Sequence, residues 1–192
     1  ANGTGTLTGN FTVPASLPVY NTLVRMRVIT DFLNTAPGSC TTPLEYGQVE
    51  EYGVVVPQPP NTAPVLNTAP SVLMSAVLED AGAPVGAVGT LVSALVDLTP
   101  PAGGLDNVTD PDAGALTGVA VVAADATNGT WFYSINNGTN WNALGTVSGS
   151  AARLLAADAN CRLYFQPAAN LNGTIATAIT HRAWDRTTGT NR

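Results

Sequence analysis

Apolar and polar residues alternate with a period of two along most of the chain, and no stretch keeps helical spacing over three turns. In residues 5–13, Leu7, Phe11 and Val13 share one face against Thr6, Thr8, Asn10 and Thr12, which predicts a half-buried strand. Across 22–30, Val24, Met26 and Val28 point one way and Arg25 and Arg27 the other, while 48–56 runs through Val49 and Tyr52 into Val54-Val55-Val56. These three strands make a small N-terminal module, residues 1–56, that buries little by itself. Residues 57–70 read Pro-Gln-Pro-Pro-Asn-Thr-Ala-Pro-Val-Leu-Asn-Thr-Ala-Pro, too proline-rich for a regular ladder and suited to a stiff extended linker.

From 71 to 192 the alternation returns in short runs separated by turn signals, near 71–78, 87–96, 117–124, 130–135, 140–145, 151–155, 161–166 and 174–184. That spacing predicts an all-β fold, with a β-sandwich over 71–192. The clearest hairpin is Trp131-Phe132-Tyr133-Ser134-Ile135, turning through Asn136-Asn137-Gly138-Thr139 into Asn140-Trp141-Asn142, because Asn-Gly supplies the positive φ angles of a tight turn. Residues 151–159 also suit a single helical turn.

Composition changes the picture in three ways. Of 192 residues, 45% are apolar and only 10% charged, which is too apolar for a disordered tail, and no apolar run reaches a membrane span. All seven basic residues are arginine, unclustered in a chain of net charge -6, so nucleic acid is not an expected partner. The absence of lysine rules out Schiff-base chemistry and a phosphate-loop lysine. The opening Ala1-Asn2-Gly3-Thr4 has neither Met nor a signal-peptide pattern, and the chain ends within a loop-like Arg186-Thr187-Thr188-Gly189-Thr190-Asn191, which reads as a processed or excised segment.

Catalytic chemistry finds little to build on. His181 is the single histidine and falls in the alternating run Ile175, Thr177, Ile179, His181, as a sheet residue would; no Gly-x-Ser-x-Gly elbow occurs, and one His with two distant Cys does not make a zinc site. Cys40 and Cys161 are disulfide candidates, within the chain or between copies, although Cys161 alternates with Leu163 and Phe165 and so also suits a buried thiol. Acidic residues are the more informative set. Glu79, Asp80, Asp110, Asp112 and Asp185 sit at turns or strand ends, where several carboxylates could converge on the six to eight oxygens that Ca²⁺ takes. Glu50 and Glu51 could join such a site. Trp131, Tyr133 and Trp141 could form a sugar-stacking platform, with core packing as the alternative, and six Asn-x-Ser/Thr sequons occur, Asn107 among them.

Two resemblances organise these observations. Phe11-Thr12-Val13-Pro14, Thr22-Leu23-Val24-Arg25-Met26-Arg27-Val28, Cys40 and Tyr46-Gly47-Gln48-Val49-Glu50-Glu51-Tyr52 resemble the C-terminal half of the bacterial GEVED domain, with Gly47-Gln48-Val49-Glu50-Glu51 departing from the signature at two positions. That resemblance implies an extracellular β module without catalysis. Residues 61–192 resemble a cadherin-like or immunoglobulin-like repeat of large bacterial surface adhesins, on Asn61-Thr62-Ala63-Pro64, Leu78-Glu79-Asp80-Ala81-Gly82, Asn107-Val108-Thr109-Asp110-Pro111-Asp112-Ala113-Gly114, Gly129-Thr130-Trp131, Leu163-Tyr164-Phe165-Gln166-Pro167 and Arg182-Ala183-Trp184-Asp185. It implies an Ig-like or cadherin-like sandwich and points again to Ca²⁺.

The expected function is therefore a non-catalytic structural or adhesive segment of a secreted bacterial surface protein, extracellular and without a membrane span. Its expected partners are copies of itself or adjacent tandem repeats, and surface glycans or proteins. A sharper form makes it a fibre-forming subunit, with Leu7, Phe11 and Val13 in a strand donated to a neighbour. An accessory or carbohydrate-binding module of a secreted hydrolase is the alternative.

Overall fold

The computed structural model describes residues 20–31 and 47–191. The chain divides into two compact units, Ala1–Pro60 and Asn61–Arg192. In the first, β1 (Leu23–Asp31) and β2 (Gly47–Val55) form an antiparallel ribbon whose register runs from Leu23 opposite Val55 to Asp31 opposite Gly47. The β-branched content of both runs suits a pleated ladder, and both strands lie within two residues of the sequence expectation. The expected strand at 5–13, and with it Leu7, Phe11 and Val13, lies outside the described residues.

The second unit is all-β. In chain order it contains β3 (Val65–Leu66), β4 (Thr90–Leu91), β5 (Val108–Thr109), β6 (Gly118–Ala124), β7 (Gly129–Ser134), β8 (Asn142–Ala143), β9 (Arg153–Ala156), β10 (Arg162–Pro167) and β11 (Ile179–Trp184). Two antiparallel sheets, ordered β4-β10-β7-β8 and β11-β6-β9, contribute to one core, and β3 pairs with β5 in a short ribbon. Val119, Val121 and Leu155 from one sheet join Trp131, Tyr133 and Leu163 from the other in that core, completed by Val92, Leu95, Val96, Val108, Leu144 and Cys161. The alternation that predicted β6, β7, β9, β10 and β11 is thus the division between the two faces of each sheet, whereas β3 and β5 fell outside the predicted runs: Val65–Leu66, between the prolines of the expected linker, pairs with Val108–Thr109. Across the β7–β10 ladder Trp131 stands opposite Phe165, with ring centroids 4.9 Å apart, and Tyr133 stands opposite Leu163.

Three departures from the sequence reading have local causes. Residues 153–156 form β9, as the run expected at 151–155 had it, and the helical turn that 151–159 also suited does not form, because pairing with β6 outweighs the helix preference of Ala and Leu. Residues 71–78 belong to no ladder among the described residues, and β11 begins only at Ile179, with a turn at 176–177 in place of the strand expected from 174. Alternation predicts half-burial, and a ladder needs a partner too. Finally, the β6–β11 register passes from Ala123 opposite Thr180 to Val121 opposite His181, so Val122 is the extra residue of a bulge beside His181.

Two polar devices hold the connections. Asn107 is buried, donating from Nδ2 to the Leu95 carbonyl at 3.0 Å and accepting at Oδ1 from the Asp97 N–H at 2.9 Å, which ties the β4–β5 connection to itself. Its amide is consumed inside the fold, so this sequon is closed to a glycan in the folded state. At the β7–β8 turn, Asn137 and Gly138 have φ of 53° and 85°, and a Cβ on Gly138 would stand 1.9 Å from the Gly86 carbonyl oxygen. The Asn-Gly turn is therefore also the point where the hairpin tip meets the 85–88 loop.

Asn107→Ala leaves the Leu95 carbonyl and the Asp97 N–H without that partner and is expected to cost about 2–4 kcal/mol in denaturant unfolding followed by tryptophan fluorescence. Gly138→Ala should cost well over the ~1 kcal/mol expected of Gly145→Ala, which has φ 68° but open space around its Cβ. Equal costs for the two glycine variants would show that the close approach to Gly86 contributes nothing.

Candidate functional site

Two places in the second unit bring chemistry-bearing groups together. The first is a polar corner built by the opening residues of the unit. The Asn61 Nδ2 donates to Asp185 Oδ2 at 2.8 Å, just past the end of β11, and the Thr62 N–H donates to Asp112 Oδ2 at 2.7 Å. Asp112 in turn donates its N–H to Asp110 Oδ1 at 2.9 Å, and Thr187 donates both its N–H and its hydroxyl to Asp185 Oδ1. Asp110 Oδ2 is buried without a hydrogen-bond partner. Burial works against the Asp185 charge, yet the donors from Asn61 and Thr187 outweigh it and hold this carboxyl below the usual range.

Of the five carboxylates expected to act together, Asp110, Asp112 and Asp185 are thus linked through Asn61 and Thr62. Glu79 and Asp80 are placed in an exposed turn, where Asp80, at φ 59°, accepts from the Asn170 N–H at 2.8 Å. Among the described residues, no group of three or more His, Cys, Asp or Glu side chains is arranged to hold a metal ion. In the first unit the Glu51 carboxylate lies between Arg25 and Arg27, at 3.1 and 2.6 Å. The Arg27 hydrogen bond, and then the charges of both arginines, push its carboxyl below the ordinary range.

The second place is a slot of about 720 Å³ within the second unit. Residues 71–77 and 171–179 line it, with Trp131, Phe165 and His181. Trp131 donates its Nε1–H to the Asp125 carbonyl at 2.8 Å, fixing the ring against β7. His181 Nε2 is buried and has no hydrogen-bond partner, and burial pushes the imidazole below its ordinary pKa. The sequence placed His181 in a sheet, but the unsatisfied nitrogen depends on the bulge at Val122 and on the slot, neither of which alternation reveals.

The remaining candidates have structural surroundings. Cys161 is a fully buried free thiol whose Sγ accepts from Asn191 Nδ2 at 3.2 Å, and burial raises its pKa. Cys40 lies outside the described residues. Trp131 and Tyr133 are core residues, the latter covered by the Arg153 guanidinium at 4.7 Å from its ring centroid. Trp141 packs edge-on to Tyr164 and donates to the Gly86 carbonyl. The described residues contain no helix long and apolar enough to cross a membrane.

The register of the ribbon gives the decisive comparison its setting: Gly47, Gln48, Val49, Glu50 and Glu51 open β2, and Glu51 sits directly opposite Arg27. Residues 1–55 match the GEVED domain. Within the matched residues, the last acidic residue of the signature stretch thus pairs across the strands with β1, at a register position directly opposite Arg27. No curated protein and no solved structure matches the chain.

His181 and Asp185, two of the perturbed groups of the second unit, predict separate pH windows. His181 binds its proton less readily folded than unfolded, so stability is complete above the unfolded pKa of about 6.5 and is lost as pH falls below it, by no more than about 1.4 kcal/mol per pH unit. Asp185, with its pKa held down, contributes stability above its unfolded value of about 3.9 that is lost only at lower pH. Unfolding midpoints measured from pH 7 to 5 should fall for the wild type and flatten for His181→Gln; an unchanged slope in the variant refutes the assignment.

Proposed function

We propose that the chain is a non-catalytic structural and adhesive segment of a secreted bacterial surface protein, acting outside the cell, and that its copies associate by completing one another's sheets. The observation that carries this reading is the match of residues 1–55 to the GEVED domain, followed by a second unit made of antiparallel sheets with short edge strands. The hydrogen bonding of the second unit fits mechanical service. Its polar corner fastens the opening residues Asn61 and Thr62 to Asp185 and Asp112, so tension along the chain meets a hydrogen-bonded anchorage as well as a packed core. The cadherin-like resemblance of 61–192 belongs to this reading, as do tandem neighbours or surface proteins and glycans as partners.

Calcium belongs to the proposal as a corner ligand. The orphaned Asp110 Oδ2, beside Asp112, suits a hard cation, and neighbouring carbonyls and water would supply the other oxygens. Such a cation would take over the charge of the corner that amide donors now carry in part.

Light scattering and electron microscopy across a concentration series test assembly: mass that grows with concentration and filaments with a regular repeat are expected, and a constant monomer mass overturns it. For calcium, the unfolding midpoint should rise in Ca²⁺ relative to chelator, corresponding to about 2.7 kcal/mol at a hundredfold excess over Kd, and Asp110→Asn should abolish the rise. Equal midpoints in Ca²⁺ and chelator remove calcium from the reading.

A further inference from the structure

The slot is bordered by two stretches of chain, 71–77 and 172–177, that belong to no ladder among the described residues. Val72 and Met74 are half-buried while Leu73 between them is 86% exposed, so residues 71–75 have the two-faced character of a strand. Yet the one hydrogen bond their backbone makes among the described residues is from the Ser75 N–H to Thr90 Oγ1, at 2.7 Å. Residues 172–177 line the same slot, and their backbone makes no hydrogen bond to any described residue. Most of these residues are exposed, so their unpaired amides and carbonyls are solvated and stand free to pair with another chain beside the apolar surface. Trp131, Phe165 and Ile179 supply apolar surface there, and the unsatisfied His181 Nε2 adds a polar atom that also lacks its partner.

We propose that this slot receives residues 5–13 of a second copy as an added β-strand. The inference rests on the assembly reading above and names the surface through which assembly occurs. Three properties of the segment select it. Leu7, Phe11 and Val13 lie on one alternating face, which suits the apolar floor, while Thr6, Thr8, Asn10 and Thr12 lie on the other. The segment contains no charged residue, so its burial carries no ionic desolvation cost. Nine extended residues reach about 30 Å, more than the roughly 23 Å of a seven-residue wall, so the segment can follow residues 71–77 along their length. The other stretch outside the described residues, 32–46, contains Pro37 and Pro43, which cannot donate to a ladder. In the slot, main-chain hydrogen bonds to 71–77 or 172–177 provide affinity, and pockets for alternate side chains provide register.

The full chain carrying Phe11→Asp is a poor donor and so supplies an open acceptor. It is incubated with a synthetic peptide of residues 5–13, and amide hydrogen exchange is followed by mass spectrometry. The expected result is at least tenfold slower exchange in 71–77, 172–177 or both, with none of that protection from the same peptide bearing Phe11→Asp. In parallel, light scattering on the wild-type chain should show assembly that the peptide inhibits. Absence of protection overturns the slot as acceptor; if the wild type still assembles, the assembly reading stands and another surface mediates it. Protection by the peptide with a wild-type chain that is monomeric at every concentration overturns donation between copies and the assembly reading together. Because the peptide is added to one folded acceptor, neither result depends on a slot variant surviving substitution.

Discussion

The constraint on which the second unit depends is that its two sheets have to bury one face each, and only against one another. Val119, Val121 and Leu155 are wholly removed from water, as is Leu163 in the opposing sheet, and each of them would be exposed if the sheets parted. Everything peripheral follows from that closure. Trp131 and Tyr133 turn inward because their strand alternates in phase with the core, so their rings are structural mass before they can be a ligand platform. Arg153 is drawn over Tyr133 from β9, part of a long polar side chain being used as cover for an aromatic face. Buried polar groups are admitted where they close a loop, as Asn107 does between Leu95 and Asp97.

At the margins of this core the satisfaction of polar groups stops being complete, and those margins are where function is to be sought. The polar corner satisfies most of its carboxylate oxygens with backbone and amide donors, and leaves Asp110 Oδ2 over. The slot leaves more: two stretches of backbone and one imidazole nitrogen. A native sandwich ordinarily hides or pairs such edges, since a row of free donors and acceptors invites pairing with another chain. Both features are therefore consistent with a module that finishes its structure through contacts, with ions at one place and with polypeptide at another.

Much of this was legible beforehand, for identifiable reasons. The ribbon at Leu23–Asp31 and Gly47–Val55 follows directly from alternation, and the turn at Asn137-Gly138 from the rarity of positive φ outside Asn and Gly. Asp110, Asp112 and Asp185 were identifiable as loop carboxylates, but their linkage through Asn61 and Thr62 spans sequence separations that no local pattern encodes. Residues 151–159 suited both a strand and a helical turn, because Ala and Leu favour helix, and the pairing with β6 decides for the strand. The unsatisfied His181 nitrogen was invisible for a similar reason: a one-residue bulge on the neighbouring strand contributes to its setting.

The sequence by itself determined that this is an all-β protein, where its turns fall, and which face of each strand is apolar. These are properties of a residue and its near neighbours, set by steric limits on φ and by a side-chain period of two. Only the tertiary structure decided which extended segments obtain partners. Residues 71–77 and 162–167 both alternate, yet the second has ladders on two sides and the first has none. Pairing joins residues far apart in the chain and is chosen by the collective burial of whole faces, so the pattern within one strand cannot specify the strand beside it.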